Sequence, residues 1–493
     1  MINNKIRLLA LLLSLMLIFT ASGCKDKDTT TESDEVEIEY VYEDEIPETS
    51  DGQTSSKEDK TDSENSGSEA GSSQTNSSSD KTNSSASSGN KPNSNSGNKT
   101  VNNGVNPDDY KNTKVVYATW RDPKLYEDGP VVKAFEKKYG ITVQAELIPE
   151  NEYTNTIIGR IAAGNSPDVY FCTYSFPYCL QALQPIDAAK LNLKESIWDQ
   201  SIIKLSTVNG KTYLVNTSGN IWNDQDMVFY NKKLMEDNNI TTPADYIKSG
   251  KWTFDAMKKC MQDVAALGTK YVGGAMNVEG LINGTGASFI KFQNGKFVNG
   301  TNTLLTNVCR WVAEGVKEGY IKGVYTTDTL AFENGNYGLV VAHAFGLKAN
   351  GHWRDMNPDH IGFAPIPDWD AKTKAVPSTF VRGWGICTGA KNPVGAGIFL
   401  RYYLDIDNYN TSKAFLNSEA ETFFFKLTSD NTPKNYYFLY GTGTEGVTGT
   451  SRGVYLSAVN QDPSQVAVKI QSVQNTLNSD IQKLNKMLSS KKK

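Results

Sequence analysis

Nucleophiles, metal sites and phosphate loops each leave a recognisable spacing, and this sequence approaches several such patterns without completing one. Gly449-Thr-Ser-Arg-Gly453 has the spacing of a nucleophile elbow, but it sits in the Gly/Thr-rich stretch 441–453 and follows no core strand, so Ser451 is not assigned as a nucleophile. Gly441 and Gly446 have the spacing of a phosphate-binding loop, yet Val447 stands where that loop needs lysine. His343, His352 and His360 are separated by nine and eight residues, unlike a zincin pair, and read as core or surface residues. Cys172, Cys179, Cys260, Cys309 and Cys387 are an odd set with no Cys-x-x-Cys pair, which favours buried free thiols over a zinc site or a disulfide framework. Carboxylate pairs for glycoside hydrolysis meet in space, and no spacing here selects one. No catalytic residue, metal or cofactor is expected.

Binding chemistry is better represented. Trp120 is followed by Arg121, Tyr174 by Ser175, Trp222 by Asn223 and Asp224, and Arg382 precedes Trp384 by two positions. Rings beside paired donors and acceptors suit a guest with an apolar C–H face and a rim of hydroxyls, as a pyranose has. Trp198, Trp311 and Trp369 lack such placement, Trp252 starts a helix and Trp353 lies in a loop near His352, and all five read as packing residues. Asp168, after Ser-Pro and before a strand, reads as a holder of backbone.

The elements that position these residues follow from periodicity. Strands are expected at 114–119, 141–147 and 168–173, with helices at 131–139 and 153–163 closed by Gly140 and Gly164. This alternation predicts an α/β fold with a parallel, doubly wound sheet, whose ligands bind beyond the carboxyl ends of the strands. Trp120, Arg121, Tyr174 and Ser175 fall at those ends. Further helices are expected at 252–267, 303–319 and 465–488, and strands at 337–344, 361–366 and 381–387.

The first 111 residues differ in kind. They carry 10 Lys/Arg and 20 Asp/Glu, whereas the remaining 382 carry 40 and 35, so the overall charge of −5 describes neither part. The weakly basic body has no basic stripe, and nucleic acid is set aside as a partner. Lys5 and Arg7 precede an apolar run from Leu8 to Phe19 that is too short to span a bilayer and reads as a signal peptide, residues 1–23. Ala21-Ser-Gly-Cys24 resembles a bacterial lipoprotein box with Ala21 in place of the usual leucine, which implies lipid attachment at Cys24 and a place on the outer face of a cell membrane. Residues 24–111 bury too little apolar surface to order themselves, and nine acids without a base lie between Glu32 and Glu48. They read as a flexible tether with a root-mean-square reach of about 50 Å.

From residue 112 the chain resembles the family 1 extracellular solute-binding proteins, the carbohydrate-type receptors of ABC importers that include maltose-binding protein. The resemblance rests on Val132-Lys-Ala-Phe-Glu-Lys-Lys-Tyr-Gly-Ile-Thr-Val143, Ala163-Gly-Asn-Ser-Pro-Asp-Val169, Phe229-Tyr-Asn-Lys-Lys-Leu-Met235, Phe332-Glu-Asn-Gly-Asn-Tyr-Gly-Leu-Val340, Ile361-Gly-Phe-Ala-Pro-Ile-Pro367 and Lys391-Asn-Pro-Val-Gly-Ala-Gly-Ile-Phe-Leu400, in order, through about Tyr403. It implies a two-lobe, hinged type II periplasmic-binding-protein-like fold with an interlobe cleft. One lobe would comprise 112–224 and 365–402, the other 225–364 and 403–493, with crossings near 222–227, 364–367 and 402–407. Phe345 aligns with an aromatic sugar platform of the family, and Ser175 replaces an acidic ligand contact. The implied partners are a small-molecule or oligosaccharide ligand, permease subunits and, through its lipid, the membrane, for a protein that is itself monomeric. A wall-associated glycan-processing enzyme, and an adhesin or sensor of the same fold, are the alternatives. The sequence does not separate a sugar from a polyamine or a phosphorylated alcohol.

Overall fold

The structure is a computed structural model that describes residues 104–490 apart from 121, 125–127, 173–174, 222–223, 325, 409–414, 429–434, 439–452, 454–456 and 461. The signal segment, Cys24, most of the tether, Arg121, Tyr174, Trp222, Asn223 and Ser451 lie outside the described residues.

In chain order the strands of the two main sheets are β1 (Lys114–Thr119), β2 (Thr142–Leu147), β3 (Val169–Cys172), β4 (Leu183–Gln184), β5 (Asp226–Asn231), β6 (Val272–Met276), β7 (Tyr337–His343), β8 (Ile361–Ala364) and β9 (Gly383–Cys387). The principal helices are α1 (Gly129–Tyr139), α2 (Tyr153–Ala162), α3 (Phe254–Ala265), α4 (Val278–Gly284), α5 (Thr303–Glu318), α6 (Pro393–Tyr403), α7 (Val466–Ser472) and α8 (Gln474–Ser490). Their ends carry ordinary stop and start chemistry. Helix α1 closes on Gly140 at φ 66°, where a left-handed residue costs glycine least, and Lys137 and Lys138 oppose the negative end of its dipole. Asn302 caps α5 by accepting from the Leu305 amide. The single helix expected over 465–488 is broken at Val473 into α7 and α8.

The first sheet has the order β2, β1, β3, β9, β4. Strands β2 and β3 run parallel to β1, as the alternation of strands and helices predicts. Strand β9 is antiparallel to both β3 and β4, so the sheet is mixed. The cause lies in the chain path: β9 returns from the second sheet and enters from the opposite end. Asp168, 2% exposed, holds this return in place. Its Oδ2 accepts from the Val116 amide at 2.8 Å and its Oδ1 from the Asn392 amide, which caps α6, at 2.7 Å.

The second sheet has the order β8, β5, β7, β6, with β5 antiparallel to both neighbours. Every residue of β5 is buried, as expected of a strand covered on both faces. One apolar core lies around the first sheet, with Tyr117, Phe135, Trp384 and Phe399; a larger one fills the second sheet's surroundings and includes Phe229, Phe332 and Trp353. The five cysteines from Cys172 to Cys387 are free and buried, and burial pushes the thiols of Cys260 and Cys309 up to about 12. No helix among the described residues is long and apolar enough to cross a membrane.

Candidate functional site

Strands β1 and β3 finish at the same edge of the first sheet, and the antiparallel β9 starts there. Trp120 follows β1, Phe171 lies near the end of β3, and Arg382 immediately precedes β9. Because Trp384 pairs directly with Phe171 across the ladder, their rings stack at 4.4 Å between centroids. Trp120 stacks on Phe171 at 5.0 Å, and Tyr153 meets Trp120 edge-on at 5.4 Å. Trp120 and Phe171 are half-buried. The Arg382 guanidinium carbon lies 5.6 Å from the centre of the Phe171 ring.

The second sheet presents its own edge. Asp226 opens β5 and pairs with His343, the last residue of β7. Ala344 follows, and its amide donates to the Gln225 carbonyl at 2.7 Å, fixing the half-buried Phe345 beside the entry to β5. Asp224 reaches the first sheet: its Oδ2 lies 2.5 Å from Arg382 Nε. This ion pair therefore joins the two sheet edges, and Arg382 Nη2 also donates to Asn220 Oδ1 at 3.4 Å.

Behind the pair, Asp226 is 1% exposed and collects four polar neighbours. Its Oδ1 accepts from Asn277 Nδ2 and lies 3.2 Å from His343 Nδ1, while its Oδ2 accepts from Ser378 Oγ and, at 2.8 Å, from Tyr437 Oη. A buried carboxylate needs such partners, since an unpaired charge out of water is strongly unfavourable. Burial pushes the Asp224 carboxyl above its ordinary value, with Arg382 and His343 opposing the rise. At His343 burial acts downward, but Asp226 and Asp224 outweigh it and raise the imidazole above its usual range. Burial and the neighbouring Asp226 raise the Tyr437 phenol well above its ordinary value.

Residues 117–409, more than half of the chain, match the family model described as bacterial extracellular solute-binding protein. The chain belongs to that family. Among curated proteins no sequence match was found. Similar solved structures include the galacto-N-biose/lacto-N-biose I-binding protein of the ABC transporter from Bifidobacterium longum, with 15% identity, TM-score 0.57, and 75% of this chain and 97% of that chain covered. The cyclic α-maltosyl-1,6-maltose binding protein of Arthrobacter globiformis gives 12% identity, TM-score 0.56, and coverage of 77% and 100%. A maltose-bound T. maritima protein gives 16%, 0.53, and 76% and 99%. The fold of this solute-binding protein is accordingly the two-lobe type, with one main sheet in each lobe.

In this bacterial extracellular solute-binding protein, Trp120, Trp384 and Arg382 lie around Phe171, Asp224 pairs with Arg382, and Phe345 follows β7 of the second sheet. Two expected site residues are placed differently from a surface contact. Trp384 is 3% exposed and its Nε1 donates to Tyr117 Oη at 2.9 Å, so it is the buried foundation of the stack. Ser175 is 8% exposed, and its hydroxyl is engaged with Tyr170 Oη at 2.7 Å inside the first lobe. Phe171 was not singled out from the sequence, and His343 was read there only as a core or surface residue. Phe171 is interior to a predicted strand, and only the strand register puts it against Trp384; His343 was expected inside the strand 337–344, and the structure ends that strand on it, beside Asp226. The five tryptophans read as packing residues are buried or half-buried; Trp252 Nε1 donates to the Pro365 carbonyl and Trp198 Nε1 to the Asn192 carbonyl.

Proposed function

We propose that this protein captures an oligosaccharide between its lobes and delivers it to the permease of an ABC importer. In this reading it is held at the outer face of the membrane by a lipid on Cys24, and the tether lets the body range through the surrounding wall. The observation that carries the reading is the aromatic stack with the Asp224–Arg382 ion pair beside it. Trp120, backed by Phe171, offers flat apolar surface to a sugar ring, and Arg382 with Asp224 offers a fixed donor and acceptor to its hydroxyls. Phe345 supplies a further ring, and Arg121, Tyr174, Trp222 and Asn223, expected from the sequence, complete the proposed ligand contacts. Support for an oligosaccharide comes also from the solved relatives, whose bound or named ligands are such sugars.

Closure follows from this distribution. A guest touching both lobes binds the closed form more tightly than the open form, and it shifts the equilibrium by that difference alone. The test is a thermal-shift panel of neutral oligosaccharides against the purified protein. A ligand at 100 times its Kd stabilises the native state by about 2.7 kcal/mol, which is readily seen as a higher Tm. At least one member of the panel is expected to raise the Tm in a saturable manner. A Tm unmoved by every member would remove the oligosaccharide reading.

A further inference from the structure

Two short strands outside the main sheets pair in parallel: Ser378–Phe380, on the path back from β8 to β9, and Asn435–Tyr437, late in the chain. The Val381 amide extends their ladder by donating to the Tyr437 carbonyl at 2.7 Å. The side chains of this ribbon show what holds it.

Side chains alternate along a strand, so the neighbours Tyr436 and Tyr437 project to opposite faces. Tyr437 Oη donates to Oδ2 of Asp226, the first residue of β5, at 2.8 Å. Ser378 Oγ donates to the same oxygen, and Asn435 Nδ2 donates to the Asn283 carbonyl of α4 at 3.0 Å. Three side chains thus fasten the ribbon to the second lobe. Tyr436 reaches the other way, and its Oη donates to Asp199 Oδ2 at 2.7 Å. Asp199 is 4% exposed and belongs to the first lobe. It follows Trp198, which is buried in the first sheet's core, and its amide donates to the Asn216 carbonyl, next to Val215, which pairs with Trp384 of β9. Its Oδ1 accepts from the Ser201 and Ile202 amides, so the carboxylate is fixed to its own lobe. Adjacent residues of one strand therefore grip buried carboxylates of different lobes.

We infer that the ribbon is a strap across the hinge, anchored on the second lobe and latched to the first by Tyr436 on Asp199. Rotation of one lobe against the other moves Asp199 relative to the anchored ribbon, so the latch must break for the lobes to leave this arrangement. The strap rests on the proposed closure motion, but it acts on the free protein, before any guest is bound.

The test is single-molecule energy transfer on the ligand-free protein, between dyes attached through azide-bearing residues at the exposed Lys137 of α1 and Asp255 of α3, which leaves the cysteines untouched. The unaltered protein is expected to give one dominant interlobe separation. A hydrogen bond to a charged acceptor is strong enough that Tyr436→Phe is expected to raise the population away from that separation about tenfold. Asp199→Asn, which keeps an acceptor for the Ser201 and Ile202 amides, releases the latch from the other side and is expected to do the same. Tyr437→Phe, with Ser378 and Asn435 still holding the ribbon, is expected to lower the Tm while leaving the separation in place. Distributions equal to the unaltered protein's in folded Tyr436→Phe or Asp199→Asn, or an equal spread in Tyr437→Phe, would overturn the strap. Since no ligand is present, that failure would leave the oligosaccharide reading standing, and a failed oligosaccharide panel would leave the strap standing.

Discussion

At the scale of single residues, Trp120 and Trp384 share one stack but have opposite duties. Trp384 is buried and hydrogen-bonded to Tyr117, so Trp384→Ala leaves a large cavity and is expected to cost about 3 to 5 kcal/mol of stability. Trp120 is half-buried at the lobe edge, and Trp120→Ala is expected to weaken oligosaccharide binding by about 1 to 3 kcal/mol with a smaller effect on folding. Denaturant titration and calorimetry on both variants separate the two, and an unaltered affinity in folded Trp120→Ala would take that ring out of the site. Lys348 gives a second test. Its Nζ sits 3.8 Å and 4.4 Å from the ring centres of Phe415 and Phe424, and burial lowers its pKa to about 8 against the opposing pull of Glu421. An unfolded lysine titrates near about 10.4, so between these values the folded state binds fewer protons and stability rises with pH. Relative to Lys348→Met, the wild type is therefore expected to gain up to about 3 kcal/mol between pH 7 and pH 10.5. Parallel stability curves for the two proteins would contradict this.

At the scale of elements, α4 lies against the start of β5 because Gly280 has no side chain. A Cβ there would come within 2.1 Å of Asp226 Oδ1, so Gly280→Ala must displace the carboxylate that Asn277, Ser378 and Tyr437 hold. The expected loss is about 1 to 3 kcal/mol, read as a lower Tm, and an unchanged Tm would show that the carboxylate moves freely. Such local facts set the limit of what the sequence reveals. The strands and helices from 114 to 172 were legible because hydrophobic period and glycine stops coincide there. So was the backbone role of Asp168, since a carboxylate just ahead of a strand has amides nearby. The antiparallel course of β9 was not legible: strand direction depends on a connection through the other lobe, and nothing in residues 383–387 encodes it. The burial of Trp384 was hidden for the same reason, because its partner Phe171 is more than two hundred positions away in the chain.

At the scale of the whole molecule, titrating groups stand where the two sheets approach each other. His343 has a raised pKa, so the stability it contributes is complete below its unfolded value near about 6.5 and is lost as pH rises through the folded value. Asp224, raised by burial, likewise favours the folded state less as pH climbs above the ordinary carboxylate range. Asp224 pairs with Arg382, and His343 lies against Asp226, close to the same junction of the two sheets. Closure is also the most direct property to measure. Small-angle X-ray scattering of the purified protein, alone and saturated with the oligosaccharide that stabilises it most, is expected to show a smaller radius of gyration in the saturated sample. Identical scattering curves for the free and saturated protein would contradict capture by lobe closure.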